Sequence, residues 1–243
     1  MNRILFSADE VLADGTVTLA DFRAVHIRTV LNANVGDTLR TGIVNGPVGT
    51  SRIERMTDDS ISLQTSHEEI APEPWIDLIL AAPRPKVLKR LWPQLAALGV
   101  GRIIVLNAFR VEKTYFHSQW TTPEYYMPLL FEGLAQAGTS RLPEVHIKTR
   151  FKPFVEDELD AMFPGALRLL AHPGEGRGGI PSEMREGSRP LLAVGPEGGW
   201  IDYELNMLAG KGFIPFSLGP RTLRTDTATI GLIAALMMLH TER

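Results

Sequence analysis

The sequence predicts an α/β protein in two domains, a small β-barrel over residues 1–70 and a larger parallel-sheet domain over residues 71–243. Three observations carry this. Short β-prone runs separated by turn clusters fill residues 1–70. From Trp75 onward, apolar runs of strand length alternate with stretches of helical periodicity, the pattern of βαβ units and a parallel sheet. Two glycine-led loops, Gly195-Pro196-Glu197-Gly198-Gly199-Trp200 and Gly219-Pro220-Arg221-Thr222-Leu223-Arg224-Thr225, each follow such a run. Open α/β sheets hold their ligands there, beyond the carboxyl ends of strands.

In the first domain the strand candidates are Arg3-Ile4-Leu5-Phe6, Thr16-Val17-Thr18-Leu19, Asp37-Thr38-Leu39-Arg40 and Ser60-Ile61-Ser62-Leu63. Asp14-Gly15, Gly36-Asp37 and Asn45-Gly46-Pro47 supply turns between them. Residues 22–31 form one helical piece, which brings Val25, Val30 and the His26 ring together. Ala71-Pro72-Glu73-Pro74 is the linker, because two prolines so close discourage both helix and strand.

The second domain opens on a buried strand over residues 75–82. Pro85 starts a helix, Val87, Leu88, Leu91, Leu95 and Leu98 give it an apolar face, and Gly99 stops it. Pro93 should kink that helix, since it lacks the amide hydrogen the ladder needs. Strands follow at 102–106, 144–147 and 166–172, with helices at 125–137 and 154–162. Leu191-Leu192-Ala193-Val194 is a further buried strand. Asp202 caps a short helix that ends near Gly210 and Gly212, residues 213–218 make the last strand, and Thr225 or Asp226 caps the last helix. Residues 227–239 are apolar almost all round, so the helix must be covered on every side, by the domain core or by a second subunit.

Composition narrows the classes. The chain has 243 residues, 44% hydrophobic and 22% charged, ordinary for a globular protein with a full core. It has no cysteine, which excludes disulfides and thiolate metal sites. No apolar stretch is long enough to span a membrane and no secretion signal is readable, so the cytoplasm is the expected compartment. No metal-ligand spacing stands out. The net charge of −3 does not advertise a nucleic-acid binder, yet residues 71–150 alone carry 10 basic against 6 acidic groups, which reads equally as an RNA-facing patch or as a solvated face.

The two glycine loops carry a resemblance. Gly195-Pro196-Glu197-Gly198-Gly199, followed by Leu218-Gly219-Pro220-Arg221-Thr222-Leu223-Arg224-Thr225-Asp226-Thr227-Ala228, resembles the knotted SPOUT methyltransferases, and among them the small-subunit rRNA uridine N3-methyltransferase family. The family usually has Glu where this chain has Asp226. The resemblance implies a knotted catalytic domain, a PUA-like RNA-binding barrel before it, S-adenosylmethionine as cofactor, small-subunit rRNA as substrate and a homodimer. It implies cofactor contacts at Ala171, His172, Gly195, Glu197, Gly198, Gly199, Leu218, Gly219, Leu223, Arg224 and Thr225. Arg224 and Glu197 are the catalytic candidates. The Arg224 cation would stabilise a developing anion, and the Glu197 or Asp226 carboxylate would orient the acceptor or take its proton. Candidate RNA contacts are Arg3, His26, Arg28, Arg110 and Arg141, although on sequence alone a histidine placed like His26 is more often packed and hydrogen-bonded than a ligand contact.

The resemblance is diluted in the middle of the chain. Gln94 and Ala97 stand where the family has Lys and Glu, Phe109 stands for a glutamate, and Thr139 stands for an arginine with Arg141 two residues on. Arg110, Glu132, Gln136 and Gly138 match. Those departures support an alternative, a non-catalytic RNA-binding or ribosome-assembly module. Gly174-Glu175-Gly176-Arg177-Gly178-Gly179 satisfies G-x-G-x-x-G, but Pro181 and Pro190 leave no room for the helix a dinucleotide site needs. Polyphosphate binding is disfavoured too, since neither glycine loop contains a lysine and Glu197 would repel it.

Overall fold

The computed structural model describes residues 3–172 and 189–241, so the run at 174–179 lies outside the described residues. Two compact units are present: Met1–Glu73 with Phe131–Leu142, and Pro74–Leu130 with Pro143–Arg243.

The first unit is built on β1 (Ile4–Phe6), β2 (Thr16–Leu19), α1 (Phe22–Thr29), β3 (Thr38–Ile43), β4 (Val48–Met56) and β5 (Ile61–Glu69). They form one sheet in the order β1-β3-β4-β5-β2, with β1 parallel to β3 and the other pairs antiparallel. Phe6, Leu19, Ile27, Ile53, Ile61 and Leu63 make its core. The Asp21 carboxylate accepts from Arg23 N at 2.9 Å and so starts α1, satisfying one of the amides that a helix leaves unpaired. β4 was not anticipated. Its inward residues Val48, Ser51 and Ile53 are diluted by Arg52, Glu54 and Arg55, so no apolar run marks it. Gly49 within it lies so close to β5 that an added Cβ would sit 2.1 Å from Ser66 O. The residues from 131 to 142 join this unit through Arg3 N to Ala135 O at 3.0 Å and Asn45 N to Ser140 O at 2.8 Å.

The second unit contains β6 (Ile76–Ala81), α2 (Pro85–Ala97), β7 (Val100–Leu106), α3 (Pro123–Ala137, whose residues from Phe131 count with the first unit) and β8 (Glu144–Lys148). Then come α4 (Phe151–Pro153), a π turn at Phe154–Glu158, α5 (Leu159–Met162), β9 (Arg168–Ala171), β10 (Leu191–Val194), α6 (Asp202–Gly210), β11 (Ile214–Phe216) and α7 (Thr225–Thr241). Six strands form a wholly parallel sheet in the order β11-β9-β10-β6-β7-β8. β6 and β10, at its centre, are buried along their whole length, as a parallel sheet covered on both faces requires. β6, α2 and β7 form the expected βαβ unit, and α2 runs on through Pro93.

The start of α6 differs from expectation. Ile201, not Asp202, precedes α6, and the Glu204 carboxylate reaches back to accept from Ile201 N at 3.1 Å. α7 buries Leu232, Ile233 and Leu236 within its own unit but leaves Ala234 and Met238 exposed, so one side of this apolar helix faces outward in the single chain. No helix among the described residues is long and apolar enough to cross a membrane.

Candidate active site

Strand register builds the site. Ala171 is opposite both Val194 and Phe216, so β9, β10 and β11 end at one level and their loops leave side by side. His172 N donates to Phe216 O at 3.4 Å and ties the first and third loops together. In the loop after β10, Gly199 N donates to Pro196 O at 2.8 Å, and Gly199 has φ +72°, a left-handed conformation that favours glycine. In the loop after β11, the Ser217 hydroxyl accepts from Gly219 N at 3.1 Å and holds the turn.

The three loops and the first turns of α7 enclose a cleft of about 120 Å³. Eight of the expected cofactor residues line it: Ala171, His172, Gly195, Glu197, Gly199, Leu218, Leu223 and Thr225. Gly198, Gly219 and Arg224 do not. Gly198 turns towards Arg110 instead, and a Cβ there would lie 2.9 Å from Arg110 Cδ. Trp200 and Arg221, in the two glycine loops, line the cleft as well, and so do Val194, Phe216, Ala228 and Leu232, which lie outside them. Trp200 is 4% exposed and its Nε1 is buried with no hydrogen-bond partner. Its indole packs against Gly195, where a Cβ would come within 3.0 Å of Nε1. The glycine at 195 is therefore required by tryptophan packing.

Glu197 also lines a neighbouring cleft with Arg84, Arg224 and Asp226. Its Oε1 accepts from Arg84 N, at the start of α2, across 3.1 Å. Asp226 is held by Arg90 at 2.9 Å and lies 3.7 Å from Arg224 Nε. Of the two carboxylates, Asp226 is the one engaged by arginines, which leaves Glu197 facing both clefts. The Arg224 side chain is 75% exposed.

The arginines expected at the RNA also hold main chain. Arg3 donates through Nε to Gly138 O at 2.8 Å and through Nη1 to Thr41 O at 2.6 Å. Arg28 donates to Thr57 O and Ser60 O at 2.6 and 3.0 Å, and Arg141 to Asn45 O at 3.0 Å while pairing with Glu73. Arg110 donates to Gly198 O. Each of these guanidinium groups braces main chain within its own unit. His26 Nε2 is buried without a partner, and burial lowers its pKa below the ordinary 6.5, so the ring is neutral at pH 7.

A parallel sheet with a cleft across the carboxyl ends of three adjacent strands defines an α/β ligand-binding domain. The comparisons narrow the class. The chain belongs to the RNA methyltransferase domain family, whose model matches residues 71–237. It is 28% identical to ribosomal RNA small subunit methyltransferase E of Treponema pallidum, across 98% of this chain and 91% of that one. With the protein of the same name from Synechocystis it shares 26% identity, across 97% and 77%. Its fold matches that of the Neisseria gonorrhoeae ribosomal RNA small subunit methyltransferase E, solved bound to S-adenosyl methionine, with a TM-score of 0.77, 23% identity and 98% of each chain covered.

Proposed function

We propose that this protein transfers a methyl group from S-adenosylmethionine to N3 of a uridine in small-subunit rRNA. The observation that carries the reading is the cleft formed by three loops at one register level, in a chain whose relatives along its whole length are named as small-subunit rRNA methyltransferases. The residues present fit the cofactor. Leu218, Leu223, Phe216 and Ala228 offer apolar walls to a nucleoside, and the Trp200 Nε1 is buried with no partner of its own. S-adenosylmethionine supplies an electrophilic methyl group when bound. The protein supplies position, through rigid loops, and a base. Glu197, oriented by the Arg84 amide, takes the N3 proton of uridine at its carboxylate, and Arg224 steadies negative charge on the acceptor.

The finer architecture belongs to the same reading. Residues 71–243 form the knotted SPOUT domain, and residues 1–70 a PUA-like barrel that grips RNA. The bulged β4–β5 pairing supports a curled sheet, since bulges bend strands. The enzyme acts as a homodimer in the cytoplasm, with the outward side of α7 at the subunit contact. The experiment is nucleoside mass spectrometry of small-subunit rRNA from a deletion strain, before and after treatment with the purified protein and S-adenosylmethionine. 3-Methyluridine should be missing and then restored. An unchanged nucleoside profile would favour the non-catalytic RNA-binding alternative.

A further inference from the structure

A second cleft, of about 390 Å³, opens beyond the carboxyl end of β7 and is lined by Asn107, Phe109, Lys113, Phe151, Lys152 and Tyr203. It shares a wall with the first: the Phe151 ring lies 5.9 Å from that of Trp200, which faces the cofactor cleft. Two of its aromatic rings are wet, Phe109 at 76% and Tyr203 at 52% exposure. Both are nevertheless on braced backbone. The buried Glu204 carboxylate accepts from Phe109 N at 2.7 Å through Oε1 and from Ile201 N at 3.1 Å through Oε2. One carboxylate thus fixes the segment carrying Phe109 against the segment carrying Tyr203, and its own charge is met by two amide dipoles. The remaining charge on the lining is that of Lys113 and Lys152, the latter in a 3.7 Å surface pair with Glu156. Asn107 donates through Nδ2 to Thr149 O at 3.0 Å, which leaves its Oδ1 buried without a partner.

Exposed rings on rigid backbone with cations beside them are what a single-stranded nucleic acid requires, because every base has a face to stack and every linkage a negative charge. We propose that this cleft binds a nucleotide flanking the methylated one, with its base stacked on Phe109 and Tyr203 and its phosphates beside Lys113 and Lys152. Placement across the Trp200–Phe151 wall sets the flanking base next to the cofactor cleft and makes the cleft a determinant of which uridine is presented. The proposal rests on the RNA methyltransferase reading for its ligand class. It also gives a meaning to Phe109, which stands where the resembled family has a glutamate: an acidic group has become a stacking surface.

The test measures binding of a short fluorescein-labelled oligouridine to the full chain by anisotropy, with S-adenosylmethionine affinity measured in parallel by calorimetry. The Phe109→Ala/Tyr203→Ala protein should bind the oligonucleotide at least about five-fold more weakly, as loss of stacked bases does, with cofactor affinity unchanged. Phe109→Trp should retain binding. Lys113→Ala/Lys152→Ala should flatten the salt dependence, since fewer counterions are released. Parental RNA affinity in the double aromatic variant would overturn the proposal, as would uridine monophosphate binding as tightly as the oligonucleotide. Loss of cofactor binding by the parent protein would instead count against the methyltransferase reading, so the two failures are distinguishable.

Discussion

The main-chain amide of Arg84 donates to Glu197 Oε1 across 3.1 Å, joining the start of α2 to the glycine loop after β10. A loop carboxylate is thereby held at the border of two clefts, one lined by apolar residues and one by arginines. If Glu197 removes the acceptor proton, Glu197→Gln should lower single-turnover methylation by about 10²–10⁴-fold, the usual worth of a positioned base. S-adenosylmethionine affinity, read by calorimetry, should change far less. Equal losses in both would make Glu197 a binding residue only.

Leu218 is 46% exposed and forms one wall of the cofactor cleft, so its replacement need not disturb the core. Leu218→Asp should weaken S-adenosylmethionine binding about tenfold or more, given roughly 1.5–3 kcal/mol for covering such a side chain. Circular dichroism should show the fold retained. Gly198→Val, by contrast, should act through displacement of Arg110, whose side chain already occupies the space beside it.

Arg224 lines the cleft shared with Arg84 and Asp226 and is absent from the lining of the cofactor cleft. Arg224→Ala should therefore reduce turnover on rRNA while leaving cofactor affinity near that of the parent. The loss should fall below the 10²–10³-fold typical of a preorganised buried donor, because this side chain is 75% exposed. Turnover equal to the parent's would assign Arg224 a structural role at the start of α7.

The two sides of α7 give the dimer a clean test. Leu236 is completely buried inside its own unit, so Leu236→Arg should unfold the chain and say nothing about assembly. Ala234 faces outward, and Ala234→Arg should give a folded monomer by light scattering where the parent is a dimer. A parent protein of monomer mass at all concentrations would remove the dimer from the reading.

His67 supplies a pH prediction for the first unit. Its Nε2 lies 2.7 Å from Thr41 Oγ1, which in turn is 2.6 Å from Ser51 Oγ. Burial, with a smaller contribution from the Arg3 charge, lowers its pKa below 6.5, so the unfolded chain takes up the proton more readily than the folded one. Stability from this group is complete above pH 6.5 and is lost as pH falls from there through the folded pKa. Urea unfolding followed across that range should show the decline in the parent and a shallower one in His67→Gln.

The sequence by itself determined the strand and helix alternation, the parallel βαβ start at β6, and the two glycine loops that border the cofactor cleft. Those are local signals: apolar spacing sets the element and glycine permits the turn. Only the tertiary structure decided what depends on distant register. Ala171 opposite Val194 and Phe216 gathers the three loops, Trp200 folds back over Gly195 into the cleft wall, and Gly198 turns away to Arg110. Nor does the sequence show what the arginines at 3, 28 and 141 hold. In the fold their donors meet main-chain carbonyls up to 135 positions away, because a buried or turn carbonyl needs a partner wherever the chain brings one. No spacing in the sequence encodes such pairings; they follow from which strand ends beside which.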